Sequence, residues 1–583
     1  MLEPAVQSKI TTWLSGNYDN KTKATIQGLI DSNNDTELTD AFYKDLEFGT
    51  GGLRGLIGTG SNRINQYTIG TATQGLANYL NKTFPEQPIS VAIAHDSRIM
   101  SVELARTTAD VFSANGIEVY LFSALRPTPE LSFAIRALGC QSGVVITASH
   151  NPKEYNGYKA YWTDGSQVVA PHDTNVMAEV NAIQSVDEVK FIGDPSKITL
   201  IDKDIDDQYI AHILSLSISK QAIARQKDLK IVFTPLHGTG ITLVPQVLAQ
   251  MGFENVTIIT QQAEAAGNGQ FPTVVYPNPE EAEAMTMAVK KAVEINADLV
   301  LGTDPDADRV GIAAQNHHGQ IQLLNGNQTA TLLIYYLLQA WKESGKLTGH
   351  EFVCKTIVTT DLIDKMAANY GVHCYNTLTG FKYIAQVIRE LEGRQQFIGG
   401  GEESYGYLIG DAVRDKDAIA SCAIIAELTA YAKDKGLSLF DMLMEIYKQF
   451  GFYYEGLISL TKKGKSGAEE IQAMMADFRA NPPKSLAGSA VIRIDDYKTL
   501  KRTNEVGNIS NIPSGEMGIE SSNVLQFFTA DGTKFTCRPS GTEPKIKFYV
   551  GVVSELQSTS DFDDVYASLQ AKVKAIGTEL KLK

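Results

Sequence analysis

The stretch LGTDPDADRVGI places Asp304, Asp306 and Asp308 at a spacing of two, directly after the apolar run ADLVLG. In extended chain, residues two apart share a side. Three hard oxygen ligands would then sit together at the end of a strand, a set suited to a small cation such as Mg2+ that also takes phosphate oxygen. The bland alternative is a solvated acidic turn. A calcium loop fails on detail, because Arg309 stands where the turn glycine belongs and Gln315 where the closing glutamate belongs. An aspartyl-nucleophile phosphatase also uses a DxD after a strand, but leaves a second feature unexplained.

That feature is GVVITASHNPKEYNGYKAY, residues 143–161. Val144, Val145 and Ile146 read as a buried strand, and a polar loop carrying Ser149 follows at once. One reading of Ser149 is a turn residue. Another is a Ser–His dyad with His150. Neighbours in extended backbone point to opposite sides, so the expectation is that His150 is poorly placed to deprotonate Ser149. No GxSxG elbow surrounds the serine either.

Three more loops carry chemistry. CRPSGTEPKIKF puts Arg538, Ser540, Gly541 and Thr542 together: a guanidinium fork, hydroxyls and a glycine that lets backbone N–H groups approach an anion. FGTGGLRG offers a second glycine-rich loop with Arg54. GGGEESYG sets Glu402 and Ser404 beside glycines, a pairing suited to vicinal sugar hydroxyls. Each has a plain turn or charged loop as its rival; their conjunction is the stronger signal.

The elements that must position these loops follow an α/β grammar. From about residue 88, apolar runs alternate with helical patterns: ISVAIAH, then SVELARTTADVFSANG with Ser101 as N-cap and Gly116 as stop, then IEVYLFSA. The rhythm returns at LKIVFTPLHGTG, NVTIIT and ADLVLG, and again at EFVCKTIVTTD and QQFIGGGEESYG. The predicted architecture is three serial α/β domains with mixed sheets, then a C-terminal α+β domain built from close strands, an Asp531-Gly532 hairpin and a last helix near 561–580. Domains are expected at 1–200, 201–320, 321–440 and 441–583, with KKGKSGAEE (462–470) read as a loop. Each polar cluster follows a strand, the place where open α/β sheets bind ligands.

Composition narrows the class. The chain has 583 residues, net charge −15 and 43% hydrophobic residues, with a mean hydropathy of −0.12. The acidity argues against general nucleic-acid or anionic-membrane binding. No apolar run approaches the roughly 18 residues of a spanning helix, and MLEPAVQSKITTWL does not read as a signal peptide. Five scattered cysteines without a CxxC pair fit a reducing cytoplasm.

The motif order TASHNP, DPDADR, GEESYG, RPSGTEP, spanning about residues 49–549, resembles that of the α-D-phosphohexomutase superfamily. PLHGTG, GEESYG and VRDKD make the chain most similar to the long bacterial-type α-phosphoglucomutases. The resemblance implies four domains around a central cleft and an intramolecular phosphotransferase acting on sugar phosphates. It implies phosphorylated Ser149 as donor and Mg2+ on Asp304, Asp306 and Asp308 with the phosphoserine. It implies glucose 1,6-bisphosphate as intermediate and activator. By the same resemblance Arg54 and Arg309 face the phosphoryl group, and Lys159 and Lys416 are active-site lysines, Lys159 as acid/base. Thr379 and Gly380 belong to a sugar-binding loop, and Glu402 and Ser404 discriminate the sugar. Arg538, Ser540, Gly541 and Thr542 grip the phosphate that is not transferred. His150 and His237 have no assigned role, and Lys545 and Lys547 are both open as the second basic contact. Phosphomannomutase, phosphopentomutase or sugar-bisphosphate synthase activity stand as near alternatives; a non-catalytic sugar-phosphate binder is a remote one.

Overall fold

The computed structural model describes residues 2–49, 51–264, 266–462, 464–513, 520–540 and 545–582. The chain forms two compact units, Met1–Asn325 with Ser404–Gly436, and Gly326–Glu403 with Leu437–Lys583.

The first unit holds two mixed sheets. The first comprises β1 (Gly52–Leu56), β2 (Ser90–His95), β3 (Glu118–Phe122), β4 (Ser142–Ile146), β5 (Tyr155–Trp162) and β6 (Ile198–Ile201) in the order β1-β5-β4-β2-β3-β6. Strands β4, β2, β3 and β6 run parallel, and β5 and β1 close the edge antiparallel. Every residue of β4 is buried, as expected where helices cover both faces of a parallel sheet. Its side chains divide as the pleat requires: Val144 and Ile146 join one core with Leu76, Ile93 and Phe112, and Val145 joins another with Ala94, Leu131 and Tyr161.

The second sheet comprises β7 (Ile231–Thr234), β8 (Val256–Ile258), β9 (Leu299–Thr303), β10 (Val310–Gln315) and β11 (Ile321–Leu324), ordered β11-β10-β9-β7-β8. Strand β9 runs parallel to β7 and antiparallel to β10. The sequence DPDADR thus makes a hairpin connection between β9 and β10.

Three N-terminal helices precede these sheets: Pro4–Ser15, Asn20–Asp31 and Asp35–Phe42. They bury Ile10, Trp13, Ile26, Leu38 and Phe42 around Tyr67. An alternation read only from residue 88 does not anticipate them.

In the second unit β12 (Glu351–Thr356) pairs in parallel with β13 (His373–Thr377) on one side and β14 (Gln396–Gly401) on the other. A short strand, β15 (Tyr407–Ile409), follows in the first unit. The C-terminal strands are β16 (Phe452–Thr461), β17 (Ser485–Leu486), β18 (Ser489–Asp496), β19 (Lys501–Asn504), β20 (Ile509–Asn511), β21 (Leu525–Thr529), β22 (Lys534–Pro539) and β23 (Lys545–Ser554). All but β17 follow the order β16-β23-β22-β21-β18-β19-β20, with every pairing antiparallel. Gly532, at φ +84°, turns the hairpin between β21 and β22, and Phe562–Glu579 is the last helix. Three α/β domains and a fourth domain of antiparallel sheet and helices are thus present.

Two local expectations need correction. Residues from Gly464 begin a helix that runs to Ala480, not a loop. Ile471 and Met475 are buried one turn apart on it, and Glu470 pairs with Lys462 at 3.0 Å, so a polar start conceals an amphipathic helix. Ser101 is the first helical residue and Met100 the N-cap, at φ +64°. The Ser101 hydroxyl instead donates to Asp96 Oδ1 at 2.8 Å.

Ile93 is fully buried in the middle of β2. Ile93→Ala should destabilise the first unit by about 2–5 kcal/mol, read by urea denaturation. A change below about 0.5 kcal/mol would show that this sheet core is not packed as described.

Candidate active site

In the first unit the serine loop and the acidic triplet meet. Both sit at carboxyl ends of parallel strands, Ser149 three residues beyond β4 and Asp304 directly after β9. Ser149 Oγ lies 3.2 Å from Asp304 Oδ2. Ser149 is buried and adopts φ +54°, a left-handed conformation that costs a β-carbon residue energy and persists only where surroundings enforce it. This corrects the expectation for His150. The backbone is not extended at Ser149, so the neighbouring side chains do not diverge, and His150 Nδ1 stands 3.1 Å from Ser149 Oγ. Burial, with Arg309 and Arg54 nearby, holds the His150 imidazole well below its usual pKa and hence neutral.

Arg98 enforces the serine loop. It follows β2 in the stretch HDSR, and its side chain is fully buried with Asp96, Nε to Oδ2 at 3.1 Å. Nη2 donates to the carbonyls of Ser149 and Asn151, each at 2.6 Å. Nη1 donates to those of Pro152 at 2.8 Å and Tyr155 at 3.0 Å. One guanidinium thereby fixes four carbonyls that span the loop.

Asp304, Asp306 and Asp308 are buried, and one carboxylate oxygen from each lies within 4.8 Å of the others. Ala307, between the last two, is at φ +50°, so the motif is a tight turn and not an extended run. Asp304 Oδ1 accepts from the backbone N–H groups of Asp308 and Arg309 at 3.1 and 3.0 Å. Asp306 Oδ2 accepts from Lys159 Nζ at 2.7 Å and Thr128 Oγ1 at 3.0 Å. Asp308 Oδ2 lies 3.2 Å from both Lys159 and Lys416 Nζ. Among the described residues Asp306 Oδ1 and Asp308 Oδ1 are buried with no hydrogen-bond partner. Buried carboxylate oxygens without donors are costly, and their chemistry suits a hard cation; the residues fit one.

Burial and the neighbouring Asp306 and Asp308 push Asp304 well above the carboxylate range. Burial acts in the same sense on Asp308, but Lys416, Lys159 and Arg309 outweigh it and hold that group below its usual range. Burial lowers Lys159, yet Asp306 and Asp308 outweigh it and raise its pKa, so in the uncomplexed cluster this lysine is a cation.

The supporting residues were not singled out from sequence. Lys416 Nζ lies 2.9 Å from Asp415 Oδ1, and Asp415 Oδ2 accepts from Tyr161 at 2.7 Å. A β-carbon on Gly406 would stand 2.2 Å from Lys416 Cδ, which explains a glycine in the GEESYG stretch. A β-carbon on Gly238 would stand 2.3 Å from Pro305 Cα, so PLHGTG buttresses the acidic turn. His237 itself bonds Thr273 at 2.8 Å, and burial holds its pKa down at about 4.

Arg309 Nη1 pairs with Glu280 at 2.9 Å. Arg54 is exposed on β1 opposite Gly157. Ser404 is half-buried in the first unit.

The remaining predicted residues lie in the second unit. Gly380, at φ +126°, donates its N–H to Glu402 Oε1 at 2.9 Å, so the loops after β13 and β14 meet. Thr379 Oγ1 beside it is buried and, among the described residues, has no hydrogen-bond partner. Arg538 and Lys547 are directly opposite on β22 and β23; two cations so placed repel and suit an anion between them. The backbone carbonyl of Lys545 accepts from the Ser540 N–H at 2.7 Å. Gly541 and Thr542 lie outside the described residues.

Three regions match family profiles: residues 45–187, 207–319 and 325–450 match alpha/beta/alpha domains I, II and III of phosphoglucomutase/phosphomannomutase. The chain is 37% identical over 560 residues to the phosphoglucomutase of Staphylococcus haemolyticus, covering 94% of this chain and 97% of that protein. Among solved structures it is similar to the open form of parafusin, a phosphoglucomutase from Paramecium, with TM-score 0.68, 17% identity and coverage of 93% and 94%. It is also similar to a phosphoglucomutase/phosphomannomutase family protein from Burkholderia thailandensis, with TM-score 0.65, 18% identity and coverage of 92% and 97%. Fold, motif order and these likenesses define an enzyme of the phosphohexomutase class. The chain belongs to the phosphoglucomutase/phosphomannomutase family.

Two measurements check the site. Arg98→Lys keeps a charge but cannot reach four carbonyls, so kcat should fall on the order of 10²-fold through loop displacement, with KM little changed; wild-type kcat would remove Arg98 from this role. Asp306→Asn should weaken Mn2+ binding to the otherwise cation-free protein at least about 10-fold by calorimetry. Unaltered affinity would place the cation elsewhere.

Proposed function

We propose that the protein is a phosphoglucomutase, interconverting glucose 1-phosphate and glucose 6-phosphate. The observation that carries this reading is the 37% identity to a phosphoglucomutase across 94% of the chain, supported by the contact of Ser149 with Asp304. The domains are proposed to divide near residues 200, 320 and 440.

Ser149, phosphorylated, is the donor. Its P–Oγ bond breaks as the free hydroxyl of the sugar monophosphate bonds to phosphorus, and the hydroxyl proton leaves to a base. The product is glucose 1,6-bisphosphate. It reorients, Ser149 Oγ takes the other phosphoryl group, and the released sugar oxygen gains a proton. Such transfer asks the protein mainly for positioning and charge stabilisation. Mg2+ held by Asp304, Asp306, Asp308 and the phosphoserine would supply Lewis-acid neutralisation of phosphoryl oxygens.

Lys159 sits as a cation at the carboxylates, which suits it to donate a proton and to stabilise charge; a base would need its pKa moved the other way. Lys416 is the second lysine of this set, and Arg54 and Arg309 are assigned to the phosphoryl group. Thr379, Gly380, Glu402 and Ser404 are assigned to sugar hydroxyls. Arg538, Ser540, Gly541 and Thr542, with Lys547 as the second cation, are assigned to the phosphate that is not transferred. A cytoplasmic location is part of the proposal; it is supported by free cysteines and by the lack, among the described residues, of any helix long and apolar enough to cross a membrane.

Ser149→Ala should lower mutase activity by on the order of 10⁴-fold or more, and intact-mass measurement should show the loss of one phosphate. A coupled assay on glucose, mannose and ribose 1-phosphates tests the sugar. Near-wild-type turnover by the variant, or a preference for mannose or ribose, would overturn the assignment.

A further inference from the structure

The second unit contains a cavity of about 420 Å³ that none of the residues assigned above lines. Its size falls within the range of small-molecule sites. It opens between the segment 357–376 and the sheet formed by β18, β19, β21 and β22. Asp361, Asp364, Lys365, Arg493, Arg502 and Lys534 line it, with Asp495 and Asn376.

The charges of this wall do not cancel. Lys534 Nζ lies 2.5 Å from Asp361. The buried Lys355 Nζ, behind the wall, lies 3.3 Å from Asp361 and 3.0 Å from Asp364. Arg502 grips Asp495 with two hydrogen bonds of 2.7 and 2.8 Å. Three carboxylates are thereby served by three cations, and two cations remain. Arg493 lies flat on Phe528, its guanidinium carbon 3.4 Å from the ring centroid. Among the described residues its Nε is buried without a hydrogen-bond partner, 3.6 Å from an Asp495 already held by Arg502. Lys365 stands exposed at the mouth over Tyr453 and, among the described residues, has no ion pair. Glu455, pushed up to about 7 by burial, does not line the cavity.

We propose that this cavity is a second anion site, distinct from the phosphoryl-transfer site, which takes a small dianionic phosphate ester through Arg493 and Lys365. Arg493 and Lys365, the two cations left over, together match the charge of a dianion. A planar guanidinium stacked on an aromatic ring is held ready for two-point contact with phosphate oxygens, and Lys365 adds a point charge at the entrance. Asp364 and Asn376, joined by a 2.7 Å hydrogen bond, give the opposite wall groups that can pair with the ester's hydroxyls.

The test uses tungstate, a phosphate-sized dianion visible by anomalous scattering, soaked into crystals of the full chain. An anomalous peak touching Arg493 is expected, and it should vanish in Arg493→Gln. In solution, calorimetric titration with glycerol 2-phosphate, and separately with inorganic phosphate, should show one binding equivalent lost or weakened about 10-fold or more in that variant. If only inorganic phosphate binds there, the ester assignment fails. Melting temperature reports whether Arg493→Gln is folded; Lys365→Gln, at the exposed mouth, provides the same comparison without touching the packed wall. Tungstate confined to other positions, or identical titrations of wild type and both variants, would overturn the proposal.

Discussion

Three carboxylates buried within 4.8 Å of one another repel strongly where water cannot screen them. Much of the first unit answers that repulsion. Two backbone amides, the Thr128 hydroxyl at the start of a helix, and two lysines from distant parts of the chain converge on the cluster. Lys159 comes from the antiparallel edge strand β5 and Lys416 from the segment that returns to the first unit after residue 403. The sheet topology follows from the same need. A hairpin between β9 and β10 brings the acidic turn to the strand end, and β5, reversing beside β4, carries a lysine back to it.

The serine loop meets a complementary constraint. Its conformation is intrinsically unfavourable at Ser149, and Arg98 opposes relaxation by occupying four loop carbonyls at once. Burying that guanidinium requires Asp96 beside it, and Asp96 in turn takes the Ser101 hydroxyl. A chain of short polar contacts therefore runs from the backbone carbonyl of Ser149 to the first turn of the helix Ser101–Ala114. Phosphoryl transfer tolerates little positional error, and this arrangement keeps the nucleophile's backbone from drifting.

Motifs whose residues act in one loop were legible in the sequence. The period-two aspartates, the strand before Ser149 and the glycine-rich turns announced themselves by local spacing. Groups that act across the fold were not. Arg98 gives no local signal of its role, because its four carbonyl partners lie 51–57 residues away. Asp415 and Tyr161 are 254 residues apart, and no local pattern joins them. The reading of His150 failed for a single dihedral: alternation holds for extended backbone, and Ser149 is left-handed. The helix from Gly464 was hidden because its apolar positions start only at Ile471, after a polar turn rich in lysine and glycine. The N-terminal helices carried no motif, and their burial around Trp13 and Tyr67 depends on a partner some fifty residues on.

The lysines at the acidic cluster have one more consequence. Because Lys159 and Lys416 already sit on Asp306 and Asp308, the cluster carries internal counter-ions. Removing an external cation then leaves salt bridges in place of bare repulsion. The fold of the first unit therefore leans less on a bound cation than do small domains that unfold when their metal is stripped. A cation lost from this cluster would then take chemistry from the protein before it takes structure.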